Sequence, residues 1–166
     1  DSAGKISQGT NGLLSAGGNI DLKAGSTVGE FANSINLAAS GVVKANGSNV
    51  YLTSTKDLNL STVESTGVVD INTTAGKIDI KDTITGDTVT LNAQGHIVQS
   101  TDAQSITATN GLKLLSQTGN IGEESNAIKF TIIEAYSSKI REIVLTKKLF
   151  SIFSFLILYI GQRDVL

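Results

Sequence analysis

The sequence predicts an all-β fold, a parallel β-helix (solenoid) of about six coils over residues 1–127, followed by a C-terminal helical tail over 128–166. Three observations carry this. Apolar residues recur in short alternating triplets, the triplets repeat with a step near 20, and polar turn residues separate them. Over residues 1–127, Gly, Ser, Thr and Asn fill 58 of 127 positions, so the connections carry turn chemistry throughout.

The triplets run in order: Ile20-Asp21-Leu22, Ile35-Asn36-Leu37, Val50-Tyr51-Leu52, Leu58-Asn59-Leu60, Val69-Asp70-Ile71, Ile78-Asp79-Ile80, Val89-Thr90-Leu91 and Leu112-Lys113-Leu114. Period-two alternation puts both apolar side chains on one strand face and the middle residue on the other. The middle residues Asp21, Asn36, Tyr51, Asn59, Asp70, Asp79, Thr90 and Lys113 are therefore expected to point outward.

Two ladders share one step. Val50, Val69 and Val89 form one, and Leu58, Ile78 and Ile97 the other. Gly-(Lys/Asn/His)-Ile occurs at Gly4, Gly18, Gly76, Gly95 and Gly119. Ile20 and Ile35, spaced 15, read as a looser set leading into Val50. Strands this short, repeating this often, stack on their equivalents one turn later rather than pairing as hairpins. At the parallel strand spacing the rod is about 30 Å long. Glycine is expected to supply positive φ at the corners. The absence of Pro leaves every backbone N–H available to the ladder.

Composition changes near residue 127. Residues 1–127 carry a net charge of −5 and the remainder +3. Ile132, Ile133, Tyr136, Ile140, Ile143 and Val144 fall at helical spacing, and a 12-residue apolar run covers 149–160. A membrane span needs about 20 apolar residues, and extending the run backward includes Lys147 and Lys148. Three readings of the tail stay open. One is a membrane-associated segment. Another is a helix or strand that caps the end of the solenoid, with residues 132–160 expected to be largely helical. The third is a non-native product of a frameshift near residue 128. With no Met, the chain reads as a fragment of a longer protein.

No catalytic, metal or cofactor site is expected. The sequence has no Cys and one His. His96 occupies the position of Lys77 and Asn120 in sister repeats and reads as an outward residue. Asp79, Asp82 and Asp87 echo the carboxylates of polysaccharide-active β-helices, but Asp79 is outward and the other two lie in turns. Glu123-Glu124 reads as a solvated turn. Gly17-Gly18-Asn19-Ile20-Asp21 is a partial echo of a calcium β-roll, without the six to eight oxygens that Ca²⁺ needs. No phosphate-cradling glycine loop is present. A net charge of −2 gives no basis for nucleic-acid binding.

Ala16-Gly17-Gly18-Asn19-Ile20-Asp21-Leu22-Lys23-Ala24-Gly25, Ser34-Ile35-Asn36-Leu37-Ala38-Ala39 and Gly76-Lys77-Ile78-Asp79-Ile80 resemble the repeats of filamentous haemagglutinin-like adhesins. The resemblance covers about residues 4–127. It implies a right-handed parallel β-helix, secretion to the bacterial cell surface through an outer-membrane partner transporter, and adhesion to a receptor or glycan on a host or neighbouring cell. It implies no enzyme activity. A shaft that delivers a contact-dependent toxin is the alternative, and a polysaccharide-active enzyme a more distant one.

Overall fold

The computed structural model describes residues 1–100, 105–123, 126–132 and 143–146. Fourteen strands appear among them: β1 (Leu14–Ala16), β2 (Ile20–Lys23), β3 (Thr27–Val28), β4 (Ile35–Ala39), β5 (Val42–Gly47), β6 (Asn49–Ser54) and β7 (Leu58–Ser65). Then follow β8 (Val68–Thr73), β9 (Ile78–Ile80), β10 (Ile84–Ala93), β11 (Ile97–Gln99), β12 (Ile106–Ser116), β13 (Phe130–Ile132) and β14 (Ile143–Thr146). Every strand pairing is parallel and links one turn to the next, so the chain is a β-solenoid of about six turns. The antiparallel contacts among the described residues are two isolated bridges, Glu30 with Asn33 and Glu123 with Asn126.

Three ladders make the walls. In the first, β4, β6, β8, β10, β12 and β14 stack so that Val50, Val69, Val89 and Leu112 form one inward column, and Ile35, Leu52, Ile71, Leu91 and Leu114 another. In the second, Leu22, Ala45, Val63, Ile84, Ile106 and Phe130 stack in sequence. In the third, Ile20, Val43, Leu60, Ile80 and Gln99 stack, beside the column Leu58, Ile78 and Ile97. Most of these side chains are fully buried, and together they form one core along the axis. Each column spaces its members roughly 4.8 Å apart.

The second and third ladders begin as one flat strand and separate along the rod. Ile20 and Leu22 are two residues apart, as are Val43 and Ala45. The interval grows to three between Leu60 and Val63, four between Ile80 and Ile84, and seven between Gln99 and Ile106. A corner opens where the earlier turns run straight.

Three expectations need correction. Ile20, Ile35 and Val50 do not share a column: Ile20 pairs with Val43 and Ile35 with Leu52, because 15 residues fall short of a full turn here. Most glycines do not serve positive φ. Among the described residues only Gly29, Gly76 and Gly122 adopt it. Others admit close approach of adjacent turns; at Gly119 a Cβ would lie 2.6 Å from the backbone nitrogen of His96. Asp79, expected outward and solvated, is 4% exposed.

The tail expectation also shifts where it can be seen. Phe130–Ile132 and Ile143–Thr146 are strands in register with β12, not helix. The open edge of β12 offers a row of unpaired backbone groups, and β-branched Ile, Val and Thr suit a strand. Residues 133–142 and 147–166, which hold the rest of the helical pattern and the apolar run, lie outside the described residues.

Candidate functional site

Two polar constellations stand out. The first surrounds Asp79, the middle residue of β9. Its neighbours Ile78 and Ile80 point inward and are fully buried. Its own carboxylate is covered from outside. Lys77 and Lys81 flank it on the same face, and their ammonium groups donate to Oδ2 at 3.1 and 2.9 Å. Ser100, one turn later, donates its hydroxyl to Oδ1 at 2.6 Å. Burial pushes the Asp79 carboxyl upward, but the Ser100, Lys81 and Lys77 donors outweigh it and hold the group below its usual range.

Lys81 also donates to the Ser100 hydroxyl at 2.5 Å. A serine beside a lysine suggests a nucleophile and its base. The chemistry here runs the other way. Lys77 and Lys81 are bound to Asp79 as hydrogen-bond donors, and a donating ammonium has no lone pair with which to take a proton from Ser100. The cluster therefore neutralises a covered charge and ties two turns together.

The other sequence candidates lie apart. Asp82 is exposed, accepts from Thr62 at 2.9 Å and from the Thr83 N–H, and sits in the turn after β9. Asp87 accepts from the Asn110 amide. Neither shares a partner with Asp79. His96 is exposed, and its Nδ1 accepts the Asn120 N–H at 3.0 Å, which spends one ring nitrogen on the next turn. Glu123 closes a tight turn with Asn126, and Glu124 lies outside the described residues. Among the described residues no three His, Asp or Glu gather as metal ligands.

The second constellation is the outward side of the first ladder. Tyr51, Asp70, Thr90 and Lys113 form one row in register, and Thr53, Asn72, Asn92 and Leu115 the adjacent row. Phe31 overhangs the Tyr51 end. Its ring lies edge-to-face on Tyr51 with centroids 6.3 Å apart, and it is 82% exposed. These residues line a trough of about 330 Å³. Burial raises the Asp70 carboxyl above its usual range, and the Lys113 ammonium draws it partway back. A larger cleft of about 770 Å³ runs past Lys23, Gly25, Asn46, Ser48 and Glu64. It is open, has no aromatic wall, and its Asn46 amide is already bonded to Glu64 at 2.8 Å.

Phe31 reaches its place through an insertion. Val50 and Leu52 are two residues apart, whereas Val28 and Ile35, stacked against them, are seven apart. The intervening residues loop out. Gly29 begins the loop at φ +72°, and Glu30 and Asn33 exchange backbone hydrogen bonds at 3.1 and 3.0 Å. A clamp closes its base. Asn33 Nδ2 donates to the Gln8 carbonyl at 2.7 Å, and Gln8 Oε1 accepts the Asn36 N–H at 2.8 Å.

The same device recurs at the other end. Ile121 and Ile128 are seven apart, Gly122 has φ +75°, Glu123 and Asn126 exchange backbone bonds, Asn126 donates to the Gln99 carbonyl, and Gln99 Oε1 accepts the Lys129 N–H at 2.6 Å. Sequence reasoning missed this device. Its signal is present twice: Gly-x-Ile-x-Gln at Gly4–Gln8 and Gly95–Gln99, each followed by Gly-Glu-x-x-Asn at Gly29–Asn33 and Gly122–Asn126. The Gly-(Lys/Asn/His)-Ile pattern covers Gly4–Ile6 and Gly95–Ile97 and ends two residues before each Gln.

Comparison with protein-family models, with curated proteins and with solved structures finds no match for this chain.

Proposed function

We propose that this chain is a segment of a non-catalytic adhesive shaft, exposed on a bacterial surface and similar to the filamentous haemagglutinin-like adhesins. Its purpose is to hold more distant parts of a long protein away from the cell and to offer weak contacts along its length. The observation that carries this reading is the stack of parallel turns around one continuous apolar core, with in-register polar rows on the outside. Such a stack has no intrinsic limit to its length, because each turn needs only its neighbours. Its outward rows repeat, so one contact is copied along the axis and weak contacts combine. Right-handed coiling follows from the preference of parallel crossovers. Export through an outer-membrane partner transporter belongs to the same reading.

The experiment is bead adhesion. Fluorescent beads carrying the 166-residue chain at graded density are washed over cultured epithelial cells and bacterial lawns. Adhesion that rises more steeply than density is the expected result. Beads that fail to adhere at every density to every surface overturn the adhesive reading.

A further inference from the structure

Many polar side chains on this rod serve its own backbone. Asn19 Oδ1 accepts the Val42 N–H at 3.0 Å, Asn49 Oδ1 the Val68 N–H at 2.8 Å, and Asp57 Oδ1 the Lys77 N–H at 3.0 Å. The trough on the first ladder is different. Asp70 and Asn72 sit at its centre, half-buried, and their side chains make no hydrogen bond within the described residues. Beside them Phe31 stands in solvent on a loop that the Gln8–Asn33 clamp keeps closed. An exposed aromatic ring held firmly beside unspent amide and carboxylate groups is a recognition arrangement: a rigid apolar surface with a few directed polar groups.

We propose that this trough binds a neutral oligosaccharide lying along the solenoid axis, one sugar ring against Phe31 and its neighbours hydrogen-bonded by Asp70, Asn72 and Thr90. The electron-rich face of an aromatic ring attracts C–H groups, and one face of a pyranose is a patch of them. Sugar hydroxyls are donors and acceptors at once. Asp70 accepts, Asn72 does both, and the two lie on the same strand two residues apart. Equivalent positions recur on adjacent strands about every 4.8 Å, which suits a ligand that itself repeats. Charge selects the class. Asp70 and Lys113 share one row and offset each other, so the floor is close to neutral, and a chain of net charge −2 repels a polyanion. The proposal deepens the adhesive reading and rests on it for the ligand's setting, a glycan at a cell surface.

The test is a titration of the isotopically labelled 166-residue chain, followed by amide NMR, with maltohexaose, chitohexaose and cellopentaose as neutral probes and oligogalacturonate as the anionic one. At millimolar concentration, at least one neutral probe is expected to shift the amides of Tyr51, Asp70, Asn72 and Thr90. Phe31→Ala and Asp70→Ala should each weaken that binding by about tenfold, which corresponds to ~1.4 kcal/mol. Both positions lie outside the core, and melting curves of the variants report whether they remain folded. Asn59→Ala, on a different ladder, should leave affinity unchanged. The proposal is overturned if no neutral probe shifts those amides, if the anionic probe shifts them equally, or if folded Phe31→Ala binds as the parent does. Bead adhesion separates the two readings. Beads that adhere regardless of Phe31→Ala and of added oligosaccharide remove the trough and keep the adhesive shaft. A trough that binds sugar on a chain whose beads never adhere removes the shaft's adhesive role and keeps the site.

Discussion

The side-chain Oε1 of Gln8 accepts the backbone N–H of Asn36 at 2.8 Å, across 28 residues of chain. The Gln8 amide nitrogen also reaches the Asn36 carbonyl at 3.3 Å. A single side chain thus stands in for a peptide unit at the place where a looped-out segment interrupts the strand ladder. Gln99 Oε1 likewise accepts the Lys129 N–H. An insertion in a solenoid threatens the hydrogen bonds of both neighbouring turns, and this clamp restores them without altering the core columns.

The two glutamines should not be equal in weight. Gln99 is 2% exposed and Gln8 only partly buried. Gln99→Ala removes the side-chain acceptor of the Lys129 N–H, a loss of about 1–3 kcal/mol, whereas Gln8→Ala should cost less. Hydrogen exchange is the specific readout. The amide of Lys129 should lose protection in the first variant and that of Asn36 in the second, each with the opposite site unaffected.

Asp79 should be a stability residue. Its folded carboxyl lies below the ordinary value of 3.8. The group therefore contributes stability that is present above that value and is lost as pH falls through the lower folded one. Asp79→Asn should lower the melting temperature at pH 7 by the equivalent of about 1–2 kcal/mol, since charge-assisted bonds weaken. The lysines that cover it are more than a third exposed, which screens the pairs and keeps the loss modest. Parent and variant should converge in acid. Melts at pH 7 and below pH 3.8 that show the same gap would sink this account.

Asp70 should behave with the opposite sign. Burial raises its folded carboxyl above the unfolded value, so the folded state gains relative stability as pH falls through the raised value. Asp70→Asn should leave the melting temperature at pH 7 equal or higher, with the advantage vanishing in acid. A variant less stable than the parent at pH 7 would show that Asp70 is held by contacts other than those described.

Ile78→Asp should unfold several turns. Ile78 is fully buried between Leu58 and Ile97 in one column. An unpaired charge there costs several kcal/mol in desolvation. Asp21→Asn, on the exposed side of β2, should change stability by less than about 0.5 kcal/mol. Thermal melts of equal depression in both variants would refute the assigned faces.

Removing residues 128–166 should affect the last turn first. Phe130–Ile132 and Ile143–Thr146 cover the edge of β12. Without them the amides of Ile106–Ser116 should exchange faster and the chain should associate through that edge. The turns from Val50 to Ile97 should keep their protection, because coupling along a solenoid is mostly between neighbours. Loss of protection throughout would make the C-terminal strands integral to the whole rod.

Period-two alternation is a local property, so the inward columns were legible from Val50, Val69 and Val89 and from Leu58, Ile78 and Ile97 without any structure. Parallel stacking was legible for the same reason: triplets too short to pair alone, repeating at one step, have only their next turn to rest on. Tertiary structure decided what local pattern does not encode. The turn on which Ile20 rests depends on loop lengths, and it is Val43. Parity aims Asp79 outward, yet the lysines on either side and a serine from the following turn bury it. In the tail, Phe130–Ile132 and Ile143–Thr146 carry part of a helical spacing and become strands, because the edge of β12 supplies hydrogen bonds that an isolated short helix cannot match. The position of Phe31 holds Glu124 in the second Gly-Glu-x-x-Asn, so no repeated aromatic marks it, and only the closing of its loop by Gln8, 25 residues before Asn33, puts that ring over Tyr51.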